Sequence, residues 1–247
     1  MTPTDPHRFA VLFRPAAERF HSQLDWLDSW HTFSFASHYD PAWQGFGPLL
    51  VINDDTVAAG RGFGMHPHRD MEIITVMVQG QLNHRDSMGH AEVLRAGEVQ
   101  RMSAGTGVVH SEINEGTEAC RFLQIWIEPS SSGIPPAYDQ KHFQISSDWT
   151  ALIDPAAAAG AMAIHRSVHL WRARPGAGQT LAVSLPEGHR GWIQMIEGSG
   201  ELSGGAEVAA LALQRGDGLG FEGGGTGSAA PHFTATTAAD LLLFDLG

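Results

Sequence analysis

One run of strand, glycine turn, strand and second glycine turn is written twice in this chain. Val76-Met-Val-Gln-Gly80-Gln-Leu82 is answered by Met195-Ile-Glu-Gly198-Ser-Gly-Glu-Leu202, and Leu94-Arg-Ala-Gly97-Glu98 by Leu213-Gln-Arg-Gly216-Asp217. The step from glycine to glycine is 17 residues in the first copy and 18 in the second. A repeat of this kind identifies the building block of a fold better than any single segment. The repeated segments are short and broken by glycine turns, and the run leading into the first of them, Met71 to Gln79, is rich in β-branched residues, so both copies read as antiparallel strands and the fold class as all-β. At 247 residues the chain suits one large β domain or two smaller ones.

Between the copies, Pro129-Ser-Ser-Ser-Gly-Ile-Pro-Pro136 has the composition of a linker, which predicts an N-terminal domain over 1–133 and a C-terminal one over 134–247. Within the first half, Met71 to Gln79 is apolar enough on both faces for a buried strand, and Arg121 to Glu128 alternates Leu123, Ile125 and Ile127 against Phe122, Gln124 and Trp126 as a closing strand. Leu49 to Ile52 reads as a short strand stopped by Asn53-Asp54-Asp55. Asp154 to Met162 supports a short surface helix or a loop.

The first copy carries two paired motifs, His66-Pro67-His68 and His110-Ser111-Glu112. Residues two apart on a strand share a face, so each motif presents two ligands to one side. If the two strands face each other inside a barrel, three imidazoles and a carboxylate converge. Such a set leaves a divalent ion with a net charge near +1 and open positions for a substrate, which is a catalytic arrangement. The only cysteine is Cys120, so thiolate sites and an intrachain disulfide are excluded. Imidazole and carboxylate donors suit iron, manganese, copper, nickel or zinc.

Other candidates receive blander readings. Glu72 shares strand parity with His66 and His68 but lies further along, which gives it a supporting role. His84 and His90 flank the turn Asp86-Ser87-Met88-Gly89 and read as solvated. His31 and His38 sit in an aromatic N-terminal segment where either could line the mouth of a pocket, though the bland reading is preferred, and Trp26, Trp30, Trp126 and Trp149 read as core. Transferring the ligand offsets to the second copy lands on Ser184, Pro186, Ala229 and Pro231, with His189 and His232 as isolated neighbours. The second half therefore reads as a scaffold without a metal site.

The formal net charge is −12, from 15 basic and 27 acidic residues, with a single lysine at Lys141. Direct nucleic-acid binding is disfavoured, because no basic surface is available to meet a phosphate backbone. No run of eighteen apolar residues occurs, and Met1 to His7 lacks the basic-then-apolar pattern of a targeting segment. The expectation is a cytoplasmic protein with no membrane partner.

The pattern Gly60-x5-His66-x-His68-x3-Glu72 with Gly80, and Gly97-x5-Ser103-x-Gly105-x4-His110-x3-Asn114, resembles the two cupin signatures. More narrowly, His31-Thr-Phe-Ser-Phe35, His66-Pro-His-Arg-Asp-Met-Glu72, His84-Arg-Asp-Ser87 and Gln100 to Glu112 resemble the pirin family. The resemblance is detailed over about residues 8–145 and looser beyond. It implies a bicupin, two antiparallel β-sandwich or jelly-roll barrels packed face to face, with one metal in the N-terminal domain. The implied ligands are His66, His68, His110 and Glu112, and the implied ion is Fe(II), with Mn, Cu, Ni and Zn as alternatives. Several pirins resemble quercetin 2,3-dioxygenases, which open the central ring of a flavonol with O₂ and release carbon monoxide. Glu112 would then be the catalytic base for the flavonol 3-hydroxyl. Other pirins imply a different class of role, a metal-dependent regulatory module with a protein partner.

Overall fold

A computed structural model describes residues 12–204, 210–223 and 231–247. Apart from two single 3-10 turns, its regular structure is all strand. In chain order the strands are β1 (Leu12–Arg14), β2 (Phe20–Gln23), β3 (Leu27–His31), β4 (Leu49–Val57), β5 (Gly62–His68), β6 (Glu72–Gln79) and β7 (Gln81–Asp86). They continue as β8 (Ala91–Arg95), β9 (Glu98–Ser103), β10 (Val108–Ile113), β11 (Cys120–Ile127), β12 (Ala137–His142), β13 (Thr150–Ile153) and β14 (His169–Ala173). The last are β15 (Thr180–Ala182), β16 (Arg190–Glu197), β17 (Ser199–Ser203), β18 (Leu211–Gln214), β19 (Gly218–Glu222), β20 (His232–Ala235) and β21 (Asp240–Asp245). Among the described residues no helix is long and apolar enough to cross a membrane.

The chain forms two compact units, one of residues 19–144 and 151–168, the other including 12–18, 145–150 and 169–247. The first is a sandwich of a seven-stranded sheet, β12-β9-β6-β11-β4-β3-β2, and a four-stranded sheet, β5-β10-β7-β8. The second contains the series β1-β19-β16-β21-β14 and the sheet β15-β20-β17-β18. The order β9-β6-β11-β4 in one unit matches β19-β16-β21-β14 in the other, and β5-β10-β7-β8 matches β15-β20-β17-β18. The internal repeat is therefore a repeat of topology, strand for strand.

The division expected at residue 133 is not where the compact units part. β12 lies beyond it and pairs with β9 through six residue pairs, from Ala137↔Ser103 to His142↔Glu98. The Pro/Ser/Gly stretch before β12 is tied down as well: Gly133 N–H donates to Asp70 Oδ1 at 2.6 Å, and Thr106 N–H to the Ile134 carbonyl at 3.0 Å. A composition that suits a linker is here a loop whose backbone finds partners in the first unit.

In that unit Leu82 and Leu94 from the small sheet pack with Val57, Met77, Cys120 and Phe122 from the large one. Burial of this kind is worth about 1.5–3 kcal/mol for each large apolar side chain. Cys120 behaves as the expected small buried residue, and burial pushes its thiol up to about 11. β4 corrects the sequence reading: it does not stop at Ile52 but runs through Asn53-Asp54-Asp55 to Val57, with all three polar residues buried. Each has a partner that a turn would not need. Asn53 meets His31, Asp54 takes two hydrogen bonds from Arg121, and Ser29 donates to Asp55.

Candidate metal centre

β5 and β10 are neighbours in one sheet, not strands facing each other across a barrel. Their antiparallel register sets His110 opposite His66 and Val108 opposite His68. Directly paired residues on one face lie within side-chain reach, so adjacency brings the imidazoles together without a closed barrel. Ring centroids are 4.5 Å apart for His66 and His110, 4.8 Å for His66 and His68, and 4.9 Å for His68 and His110. One nitrogen of each lies within 4.8 Å of the others.

A bulge follows at once, because Glu112 pairs with Phe63 and two residues of β5, Gly64 and Met65, oppose Ser111 alone. Gly62 enters this bulge at φ +154°, and a Cβ there would lie 2.2 Å from the Glu112 carbonyl oxygen. Gly62→Ala is expected to lower stability by about 1 kcal/mol or more, read as a lower urea midpoint at constant slope. An unchanged midpoint would show that the bulge relaxes freely.

The protonation of the cluster suits cation binding. His66 Nδ1 is 2.7 Å from the Gly64 carbonyl, which can only accept, so Nδ1 carries the proton and Nε2 offers its lone pair. Burial first, then the neighbouring imidazoles, pushes His68 down to about 4 and His110 down to about 3. Both are neutral at pH 7 and ligate without shedding a proton. His110 Nε2 is buried and has no hydrogen-bond partner, which in a polar site is the mark of a donor set awaiting an acceptor.

Glu112 is 2% exposed and anchored from behind. Gln124 Nε2 donates to its Oε2 at 2.7 Å and Gln100 Nε2 to its Oε1 at 3.3 Å. The carboxylate belongs to a second cluster, His84-His110-Glu112, that overlaps the triad of histidines at His110. Thus His66, His68 and Glu112, the other three residues selected from the sequence, each share a cluster with His110.

Glu72 is not part of this constellation. The strand of His68 ends before it, Asp70 turns the chain at φ +48°, and Glu72 opens β6 in the other sheet, where Ser103 Oγ donates to it at 2.8 Å. His84 and His90 are not simply solvated: His84 is 1% exposed, its ring centroid 5.3 Å from that of His110, and both bind Asp86. Turn-flanking histidines look solvent-facing in sequence, but His84 shares strand parity with buried Leu82 on β7.

A cavity of about 340 Å³ opens on the cluster. Trp26, Leu27, Phe35, Phe63 and Trp126 form apolar walls, and His31, Asn53, Ser29 and Asp55 are polar points on its lining. Trp26 and Trp126, read as core, are wall residues, and of the two N-terminal histidines that could line a pocket mouth it is His31 that lies on the lining. The ring of Trp126 stands edge to face with His68 at 5.0 Å, and its indole nitrogen is buried without a partner. The missed residue with the clearest signal is Gln124, the one polar side chain in the Phe122-Gln124-Trp126 row of β11.

In the second unit the equivalent strands β15 and β20 pair Ala182 with His232 and Leu181 with Phe233. Leu181, Leu202, Leu213, Phe233 and Ala235 belong to an apolar core cluster. His189 binds Asp245, and His232 binds Ser203. Both groups of side chains able to hold a cation lie in the first unit, among the described residues. Of the four transferred positions, Ala229 lies outside the described residues.

Two family models match the chain: Pirin over residues 13–127, and the quercetinase C-terminal cupin domain over residues 152–246. A quercetin 2,3-dioxygenase of Escherichia coli K12 is 40% identical over 237 residues, covering 96% of this chain and 98% of that protein. The crystal structure of the bacterial pirin YhhW from Escherichia coli in complex with nickel(II) superposes with a TM-score of 0.87 at 40% identity, covering 96% and 98% of the two chains. A quercetin 2,3-dioxygenase structure from Acinetobacter baumannii, 24% identical with a TM-score of 0.72 and covering 92% and 83% of the two chains, shares the fold. On the matching strand topology, the clustered histidines and these relatives, the chain belongs to the pirin family and is built of two cupin domains.

Proposed function

We propose that this protein is a metal-dependent dioxygenase that opens the ring of a flavonol with O₂, and that His66, His68, His110 and Glu112 hold its divalent ion. The observation that carries the reading is the buried, unpartnered His110 Nε2 beside His66 and His68, two further imidazoles that line an apolar cavity. The relatives named for quercetin 2,3-dioxygenase activity and the nickel-bound pirin support it. Iron is the preferred ion for O₂ chemistry, with nickel, manganese, copper and zinc compatible with the same donors.

The bound ion would supply Lewis acidity toward a substrate hydroxyl and the electronic coupling that lets a closed-shell phenol react with O₂. The chain supplies the rest. Trp26, Phe35, Phe63 and Trp126 offer flat apolar walls to a planar aromatic and exclude water from it. Glu112 accepts the proton of the substrate hydroxyl, and Gln124 and Gln100 hold its carboxylate in place for that transfer. The three histidines fix the position at which substrate and O₂ meet.

The test is a metal determination on purified protein coupled to quercetin turnover with and without oxygen. The expected result is about one transition-metal ion per chain, with oxygen uptake and carbon monoxide release that cease under anaerobic conditions or after chelation. A full complement of metal with no oxygen uptake across a panel of flavonols and phenols would overturn the catalytic reading in favour of a regulatory module.

A further inference from the structure

His110 has two ring nitrogens, and two overlapping clusters compete for them. Which cluster holds a cation depends on which nitrogen carries the proton, and the residues behind His110 decide that. Asp86, whose side chain is fully buried, is the fixed point. Its Oδ1 accepts the backbone N–H groups of Met88 at 2.9 Å and His90 at 3.0 Å, and its Oδ2 accepts from His90 Nδ1 at 2.8 Å and His84 Nε2 at 3.1 Å. A carboxylate so surrounded can only accept. His84 Nε2 must therefore carry a proton, and in the neutral ring His84 Nδ1 is then a bare acceptor. That Nδ1 faces His110 Nδ1 at 3.5 Å. The ring plane of His84 is held by Tyr138, stacked on it at 4.6 Å and 26°.

We infer that Asp86 and His84 form a directed chain of hydrogen bonds that fixes His110 in its Nδ1–H tautomer, leaving Nε2 bare for a cation shared with His66 and His68. The inference rests on the metal reading above and assigns His84 as a positioning residue that does not itself touch the ion. Both nitrogens of His84 are committed, one to Asp86 and one to His110, so the His84-His110-Glu112 cluster has no donor left at His84. The unpartnered state of His110 Nε2 is what the chain of hydrogen bonds predicts. An outer partner that orients a ligating histidine typically contributes about 10–100-fold in metal affinity.

The direct test is long-range ¹H–¹⁵N correlation on metal-free wild-type protein labelled at histidine. The expected spectrum has His110 protonated at Nδ1 and His84 protonated at Nε2; the opposite tautomer at either ring overturns the inference. The second test is nickel titration of wild type, His84→Phe and His84→Gln. Phenylalanine keeps the stacking on Tyr138 but offers no acceptor, so its nickel affinity should fall about 10–100-fold. Glutamine can present a carbonyl to His110 and should recover most of that loss. Wild-type affinity in His84→Phe sinks this inference alone, whereas a wild type that takes up no nickel sinks the metal reading as well. If His84→Phe fails to fold, the wild-type tautomer measurement still decides. Loss of all nickel in His84→Phe, with retention in His66→Ala, would make His84 a ligand and overturn its role as a positioning residue.

Discussion

Glu112→Gln should retain a bound divalent ion and lose flavonol turnover by about 10²–10⁴-fold, the range for removing a general base. The environment of Glu112 makes this substitution informative. The wild-type carboxylate accepts amide protons from Gln124 and Gln100, and Thr75 Oγ1 lies 3.3 Å from Oε1. A glutamine oxygen can still accept from Gln124, and Thr75, whose hydroxyl can either donate or accept, can receive the new NH₂. His66 and His110 keep their geometry, because they are held by hydrogen bonds to Gly64 and His84 and not by the lost charge. What disappears is the ability to take a proton from a substrate hydroxyl. The measurement is carbon monoxide release per bound metal ion, with KM and kcat separated. A fall in kcat at unchanged metal content supports the base role, and undiminished turnover removes Glu112 from the mechanism.

The effect of Gln124 on the same carboxylate is only partly legible in the sequence, and the reason generalises across the site. The strand repeat, the glycine turns and the pairing of His-x-His with His-x-Glu are local patterns, so they are open to reading from the chain alone. The residues behind the ligands are defined by pairing between distant segments. Gln124 reaches Glu112 from β11, His84 reaches His110 from β7, and Asn53 to Asp55 line β4 opposite β11. Each looks like something else in isolation: a polar interruption, a turn flank, a strand terminator. A buried polar residue is tolerated only with its partner, and the partner is what a linear reading lacks. The cavity walls are hidden for the same reason, since Trp26 and Trp126 lie 100 residues apart in the chain. The bulge between His110 and Glu112 is likewise a property of two strands, which no period on one strand announces.

Asp55 provides the second large effect, on stability. It lines the cavity wall at 3% exposure, accepts a hydrogen bond from Ser29 and is pushed up to about 7, by burial first and then by the charges of Asp54 and Glu112, with the Ser29 bond acting in the opposite direction. The folded protein thus holds this proton more tightly than the unfolded chain, where an aspartate releases it near pH 4. Between those two values the native state carries the extra proton, so unfolding stability falls as pH rises through about 4 to 7 and levels off above. The amide introduced by Asp55→Asn mimics the protonated acid, can still accept from Ser29 and has nothing to titrate. The variant should match wild type near pH 4 and exceed it progressively, by on the order of 4 kcal/mol above pH 7. Urea midpoints of the metal-free proteins from pH 4 to 8 check this, and parallel curves for the two would refute it. Nickel offers an internal control. A divalent charge at the histidines on the same cavity favours the ionised form of Asp55, so the loaded wild type should show a flatter pH dependence than the metal-free one. If loading leaves the slope unchanged, the carboxyl is not coupled to the site its cavity opens on.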